Sequence, residues 1–258
     1  VLFDKIFERK EKSKDIFNYL ESFFIHLKKK RIQPVFILDE IQRLKGLKNN
    51  GELLSELFNF FVRMTKETHL CHCLALTSDS LFVEYVYNRA ELQERAKYIK
   101  VDDFSREDAL NYLELNGQGE YKEEIISKVG CKPSLLSIVV NESKIAEVND
   151  KNMKDILCDM IKDQKQKIQS TLELLRYITP KVKWEDEVLG VEREKIIELL
   201  FKFKDNNEIQ DLGLNLPAKK YLIDKNLIFL DPSTGILKPQ SKLVKRAIED
   251  ISEENFKI

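Results

Sequence analysis

Asp39 and Glu40 are neighbouring carboxylates that close the apolar run Val35-Phe36-Ile37-Leu38. A short continuous apolar run is how a strand buried on both faces reads, and open α/β sheets bind their ligands beyond the carboxyl ends of such strands. Two acids delivered there suit metal-assisted hydrolysis of a phosphoanhydride. The first would hold Mg²⁺ through water, because this hard cation prefers oxygen donors and keeps much of its hydration shell. The second would orient the attacking water and take its proton. The same six residues also read as a core strand running into a solvated acidic turn, and alone they leave both readings open.

A second apolar run, Leu70 to Leu76, ends in Thr77-Ser78-Asp79-Ser80. If the two strands are neighbours, Thr77 or Ser78 would face the transferring phosphoryl group or the attacking water. Arg89 and Arg95 follow, and a guanidinium suits the charge that develops on a transferring phosphoryl. Each also matches a surface ion pair with Glu91 or Glu94. His69, Cys71, His72 and Cys73 are zinc-ligating types, but adjacent strand residues point to opposite faces and cannot converge on one ion. The cysteines read as small core hydrophobes.

Helices and strands in alternation would position these residues. Asp15 to Leu27 carries Ile16, Phe17, Leu20, Phe23, Phe24 and Leu27 on one helical stripe and ends in a cationic run. Helical spacing returns at Leu53, Leu54, Leu57, Phe58 and Phe61, and Tyr98 to Val101 predicts a third short strand. This is the rhythm of an α/β unit with a parallel sheet. From Ser105, an N-cap before an acidic first turn, the strands stop. Helices are predicted around 109–115, 121–129, 134–140 and 155–161, then at 166–177, 193–203 and 218–225. Two apolar runs at 227–230 and 236–238, around Asp231-Pro232-Ser233-Thr234-Gly235, predict a β-hairpin. Three helices and a hairpin are the layout of a winged helix-turn-helix.

Composition narrows the classes. Hydrophobic residues make up 43% of the 258, enough to fill a core and to exclude a wholly disordered chain. The net charge of −1 supplies no global field towards nucleic acid, so any such contact must be local. Four cysteines do not suggest a disulfide scaffold and fit a reduced, cytoplasmic setting. No apolar run approaches the ~18 residues that would span a bilayer, so no membrane partner is expected.

Several of these stretches together resemble the ATPase domain found mainly in archaea, within the STAND branch of AAA+-like P-loop ATPases. They are Val35–Glu40, Leu74–Ser80, Asp102 to Ala109, Gly130-Cys131-Lys132-Pro133 and Leu227–Ser241, in the family's order. The resemblance implies a Walker B strand with Asp39 for Mg²⁺ and Glu40 as base, and a sensor at Thr77 or Ser78. It implies an arginine at Arg95 and a lid turn whose Pro133 approaches the nucleotide base. ATP and Mg²⁺ are the implied ligands. The expected architecture is an α/β core over 1–104, a helical lid over 105–164 and a winged helix over 165–258.

One departure matters. A P-loop needs G-x-x-x-x-G-K-[ST], whose N–H groups cradle the phosphates. Gly46 and Gly51 have the glycine spacing, but Glu52 and Leu53 follow, and both glycines lie after the acidic pair. Losing a central P-loop strand would expose inner strand edges. The expectation is therefore that a phosphate-binding segment precedes Val1 in the gene, with ATPase activity if it does and none in this chain alone.

The C-terminal third has seven cationic side chains against two acidic ones between Leu212 and Ile248. Lys219 and Lys220 would project from a recognition helix onto DNA phosphates. A solvated lysine face on a protein-binding module is the competing reading. Two function classes follow: an ATP-binding and hydrolysing switch that transmits nucleotide state to the winged helix, or a non-catalytic protein- or DNA-interaction module that keeps the fold without nucleotide.

Overall fold

A computed structural model of the chain describes residues 16–44, 47, 53–87, 92, 95–146, 151–184, 187–252 and 256. The chain divides into two compact units, Val1–Tyr98 and Ile99–Ile258.

In the first unit, β1 (Val35–Leu38) pairs in parallel with β2 (His72–Ala75), Val35 opposite His72 and Leu38 opposite Ala75. Strand side chains alternate between faces, so this register gathers Phe36, Leu38 and Cys73 on one side. Helices α1 (Ile16–Lys29) and α2 (Leu53–Val62) bring their apolar stripes to that side. Phe36 is the hub, with ring centroids 5.9 Å from Phe24, 6.4 Å from Phe60 and 6.0 Å from Phe61. Around it Leu54, Leu57, Phe58, Met64 and Cys71 are buried. Each aromatic ring buried there contributes about 2–3 kcal/mol.

Two expectations need correction. β1 is not buried on both faces: Val35 is 54% and Ile37 57% exposed, and Leu74 beside Ile37 is 43% exposed. Both helices lie on the Phe36 side, and among the described residues nothing covers the other. Nor do Tyr98 to Val101 form a third strand. There Ile99 and Val101 are exposed, while Lys100 bonds Asp231 and Asp102 at 2.8 Å each. The charged side chain, not the apolar pair, anchors the segment.

The second unit begins with a helical core. α4 (Arg106–Leu115), α5 (Lys122–Val129), α6 (Pro133–Ala146) and the N-terminal part of α7 (Met153–Leu174) enclose Ala109, Leu113, Ile125, Val129, Leu136 and Leu157. Ser105 caps α4 by accepting from the Asp108 N–H, the role expected of it. α7 merges the two helices expected at 155–161 and 166–177 and runs across the boundary expected between 164 and 165. The intervening Lys162-Asp163-Gln164-Lys165 is polar but contains no Gly or Pro, so nothing breaks the helix there.

An unexpected antiparallel pair follows, β3 (Lys181–Trp184) with β4 (Glu187–Gly190). Then come α8 (Arg193–Asp205), β5 (Ile209–Gln210), α9 (Leu216–Asp224), the hairpin β6 (Ile228–Asp231) and β7 (Ile236–Pro239), and α10 (Lys242–Glu249). The predicted hairpin forms, and β5 joins it in the order β5-β7-β6. α10 packs along α7, with Leu243, Val244, Ala247 and Ile248 buried.

Candidate functional site

Parallel pairing delivers the carboxyl ends of β1 and β2 to one edge. The pairing continues one step past the strands, where the Leu76 N–H donates to the Leu38 carbonyl (2.8 Å) and the Ile41 N–H donates to the Leu76 carbonyl (3.1 Å). Asp39-Glu40 and Thr77-Ser78 therefore leave the sheet side by side. Asp39 is exposed and Glu40 half-buried.

Glu40 lies in the left-handed region, with φ +56°. For a residue with a Cβ this costs about 1–2 kcal/mol. Two local bonds hold it: its N–H donates to Asp39 Oδ1 (2.8 Å), and its carbonyl accepts from the Arg43 N–H (3.0 Å) at the start of the single turn Ile41–Leu44. The bend turns Glu40 towards the neighbouring strand's end. Its Oε1 accepts from the Ser78 hydroxyl (3.3 Å) and its Oε2 from the Gln42 amide (2.6 Å). Gln42 Oε1 accepts in turn from the Thr77 hydroxyl (2.6 Å). Thr77 Oγ1 receives the Asp79 N–H (3.1 Å), and Asp79 Oδ1 caps α3 (Ser80–Tyr87) by accepting from the N–H groups of Leu81 and Phe82.

The structure thus brings Asp39, Glu40, Thr77 and Ser78 to one edge. Gln42 is the member that sequence reasoning passed over. A neutral amide two residues beyond the acids carries no charge signature, and its position in the turn was its sole clue. Arg43 was also missed; its Nε stands 4.0 Å from Glu40 Oε2, with the side chain largely exposed. The donor set is all oxygen and amide, with no thiol or imidazole among the bonded groups. That chemistry fits Mg²⁺ held through water rather than a soft metal.

Arg95 is exposed, its N–H closing a turn on the Leu92 carbonyl (3.0 Å), and among the described residues its side chain does not join the Glu40 network. Arg89, Glu91, Glu94, Gly46, Gly51 and Glu52 lie outside the described residues, as does Asp15 at the start of the first expected helix. Pro133 belongs to the second unit, where it opens α6. Gly130, three residues before it, has φ +89° and packs against Lys242. A cleft lined by Leu175, Pro180, Val191 and Arg193 also lies in the second unit and holds none of the expected site residues.

Lys219 needs correction. Its side chain is buried and pairs with Asp211 at 2.6 Å, so it does not project from α9. Its backbone sits on the helix face that packs inward with Ala218 and Leu222. Lys220 pairs with Asp224 one turn on, at 2.7 Å, and its side chain is 14% exposed. Cys71, just before β2, and Cys73 within it point to the same side, Sγ atoms 3.6 Å apart, while His72 bonds Gln33. Burial pushes both thiols up, which disfavours the reactive thiolate.

Residues 2–139 match the family described as an ATPase domain predominantly from Archaea. Residues 154–252 match the C-terminal domain of proteins like the uncharacterized ATP-binding protein MJ1010. Among curated proteins, the uncharacterized ATP-binding protein MJ0075 of Methanocaldococcus jannaschii is 46% identical over 255 residues, covering 96% of this chain and 66% of that protein. MJ0147 of the same organism, also named an uncharacterized ATP-binding protein, is 44% identical over 261 residues, covering 97% and 68%. The chain therefore spans about two thirds of the length of these relatives. Among solved structures, the Walker-type ATPase PABY2304 of Pyrococcus abyssi superposes with a TM-score of 0.55 at 14% identity, over 93% of this chain and 69% of that one. That likeness speaks for the α/β fold alone. No described helix is long and apolar enough to cross a membrane.

Proposed function

The chain belongs to the family of ATPase domains found predominantly in archaea, and from that premise we propose that it is the catalytic and signalling part of an ATP-hydrolysing switch. The observation that carries the proposal is the Glu40 carboxylate at the carboxyl edge of β1, bonded to Ser78 and, through Gln42, to Thr77 of the neighbouring parallel strand.

Bound Mg-ATP would supply the electrophilic γ-phosphorus and a cation that neutralises its oxygens. Asp39, exposed at the strand end, would accept hydrogen bonds from the waters around that cation. Glu40 would take the proton of the attacking water as its oxygen bonds to phosphorus, leaving ADP and inorganic phosphate. The Ser78 hydroxyl, bonded to Glu40, and the Thr77 hydroxyl, bonded to Gln42, would donate to phosphoryl oxygens on exchanging those partners. Arg95 would be a cation for the developing charge. In this reading the first unit is the STAND- or AAA+-like core, Asp39-Glu40 its Walker B pair, and α4–α6 the lid.

We read α8, α9, α10 and the three-stranded sheet as a winged-helix module that receives the nucleotide state. A protein partner is favoured over DNA there, because Lys219 is buried against Asp211 and Lys220 is held by Asp224.

The full-length gene product tests this. Glu40→Gln should lower ATP turnover about 10²-fold or more while ATP remains bound. Removing the Asp39 carboxylate should weaken Mg²⁺-dependent ATP retention. Parental turnover in Glu40→Gln would remove the base. Absence of any ATP binding by the full-length protein would favour the interaction-module reading.

A further inference from the structure

Four hydrogen bonds at the sheet edge form a branched chain with a single direction. The Asp79 N–H donates to Thr77 Oγ1, the Thr77 hydroxyl to Gln42 Oε1, and the Gln42 amide to Glu40 Oε2; Ser78 donates separately to Glu40 Oε1. Donor and acceptor capacities fix this sense. A carboxylate can only accept, so the Gln42 NH₂ must face Glu40 and its carbonyl must face Thr77. Turning the amide over would set its oxygen against a carboxylate and its NH₂ against the Thr77 hydroxyl. The two bonds made by Gln42 are 2.6 Å each, the short end of the hydrogen-bond range, and bonds in such a series polarise one another.

Gln42 is also the bridge between strands. It follows β1, while Thr77 follows β2 and leads into α3 through the Asp79 cap. Glu40, strained at φ +56°, is half-exposed. What fixes the carboxylate is the donated bonds, and the shorter of the two side-chain donors is Gln42.

The geometry points to Gln42 as a positioning residue: it orients the Glu40 carboxylate and ties that orientation to the Thr77 hydroxyl and the α3 cap. This rests on the reading of Glu40 as the base. Thr77 has one hydroxyl proton, so it bonds either Gln42 or another acceptor, not both. Whatever engages Thr77 as a donor therefore loosens the hold on Glu40. The side-chain amide thereby makes the base responsive to the neighbouring strand.

Two measurements on the full-length protein test the assignment, one of them independent of nucleotide. With glutamine side chains labelled by ¹⁵N, the Gln42 NH₂ signals are identified by their loss in Gln42→Leu. In the nucleotide-free protein they should lie away from the free-glutamine position, and both Thr77→Val and Glu40→Gln should move them. Signals at the free-glutamine position, unmoved by either substitution, would overturn the bridge. In steady-state assays Gln42→Leu should lower kcat about 10- to 100-fold, with KM for ATP changed by no more than about twofold. The isosteric Gln42→Glu presents no amide donor and should lose as much, which separates donation from packing if the leucine variant folds poorly. If Glu40→Gln abolishes turnover but Gln42→Glu keeps the parental kcat, the positioning role fails and the base stands. If Glu40→Gln itself turns over normally, the underlying reading fails instead.

Discussion

Gly130 is held at φ +89°, and a Cβ placed on it would meet the Lys242 Cβ at 2.9 Å. A side chain there is penalised twice, by the left-handed backbone and by the close approach of α10. Gly130→Ala should cost about 2–4 kcal/mol, read as a lowered denaturation midpoint. Gly117 has φ +80° with open space around it, so Gly117→Ala should cost only the backbone part, about 1 kcal/mol. Equal losses at the two positions would show that Lys242 yields freely. The same residue scale sets what the sequence discloses of the site. Asp39-Glu40 and Thr77-Ser78 announce themselves, because charge and hydroxyls at the ends of apolar runs are visible in one dimension. The left-handed turn at Glu40 and the bridging amide of Gln42 do not. Both arise from how two strand ends meet, and no local propensity of Glu or Gln encodes that meeting.

Among elements, long amphipathic stripes are the most legible. α1, α2, α4, α5, α8 and α9 fall within a few residues of the apolar periodicity that predicts them, whereas α7 joins two expected helices and α10 is not among the helices expected. The pair β3 and β4 is missed although Lys181-Val182-Lys183-Trp184 alternates, because Glu185-Asp186 lacks the Asn or Gly that marks a tight hairpin. The segment 98–101 fails in the opposite sense: its apolar residues suggest a strand, yet an ion-pair cluster decides its path. In that cluster burial opposes the charge of Asp231, but hydrogen bonds from Lys100, the Ser233 hydroxyl and the Ser233 N–H outweigh it and bring its carboxyl down to about 2. A carboxyl whose pKa is lower folded than unfolded stabilises the fold above its ordinary value of 3.8, and loses that contribution as pH falls towards about 2. Asp231→Asn should therefore lower the unfolding free energy at pH 7 by about 1–2 kcal/mol, read from denaturation curves. The gap to the parent should close across the interval from 3.8 down to about 2. A gap of constant size through that interval would mean that the carboxylate charge is not what holds Lys100.

At the scale of the molecule, α7 decides how the second unit behaves. Its first half buries Met153, Ile156 and Leu157 among the helices that precede it, and its second half buries Ile168 and Leu172. α10 packs along it. A helix of 22 residues is ~33 Å long and stiff, so two groups of elements built on one such rod cannot loosen independently without breaking it. Residues 99–258 should therefore unfold as a single cooperative unit, not as separate parts at 105–164 and 165–258. Far-UV circular dichroism would follow the helices, and the fluorescence of Trp184, the chain's one tryptophan, the strands beyond α7. For the isolated fragment the two denaturation curves should coincide. Lys165→Pro, which breaks the rod near its middle at a cost of about 3 kcal/mol, should lower both curves together. Tryptophan and helix signals that separate in the parent fragment would instead make α7 a hinge. In the reading proposed above, α4–α6 would then have no rigid rod through which to pass a nucleotide state to α8–α10.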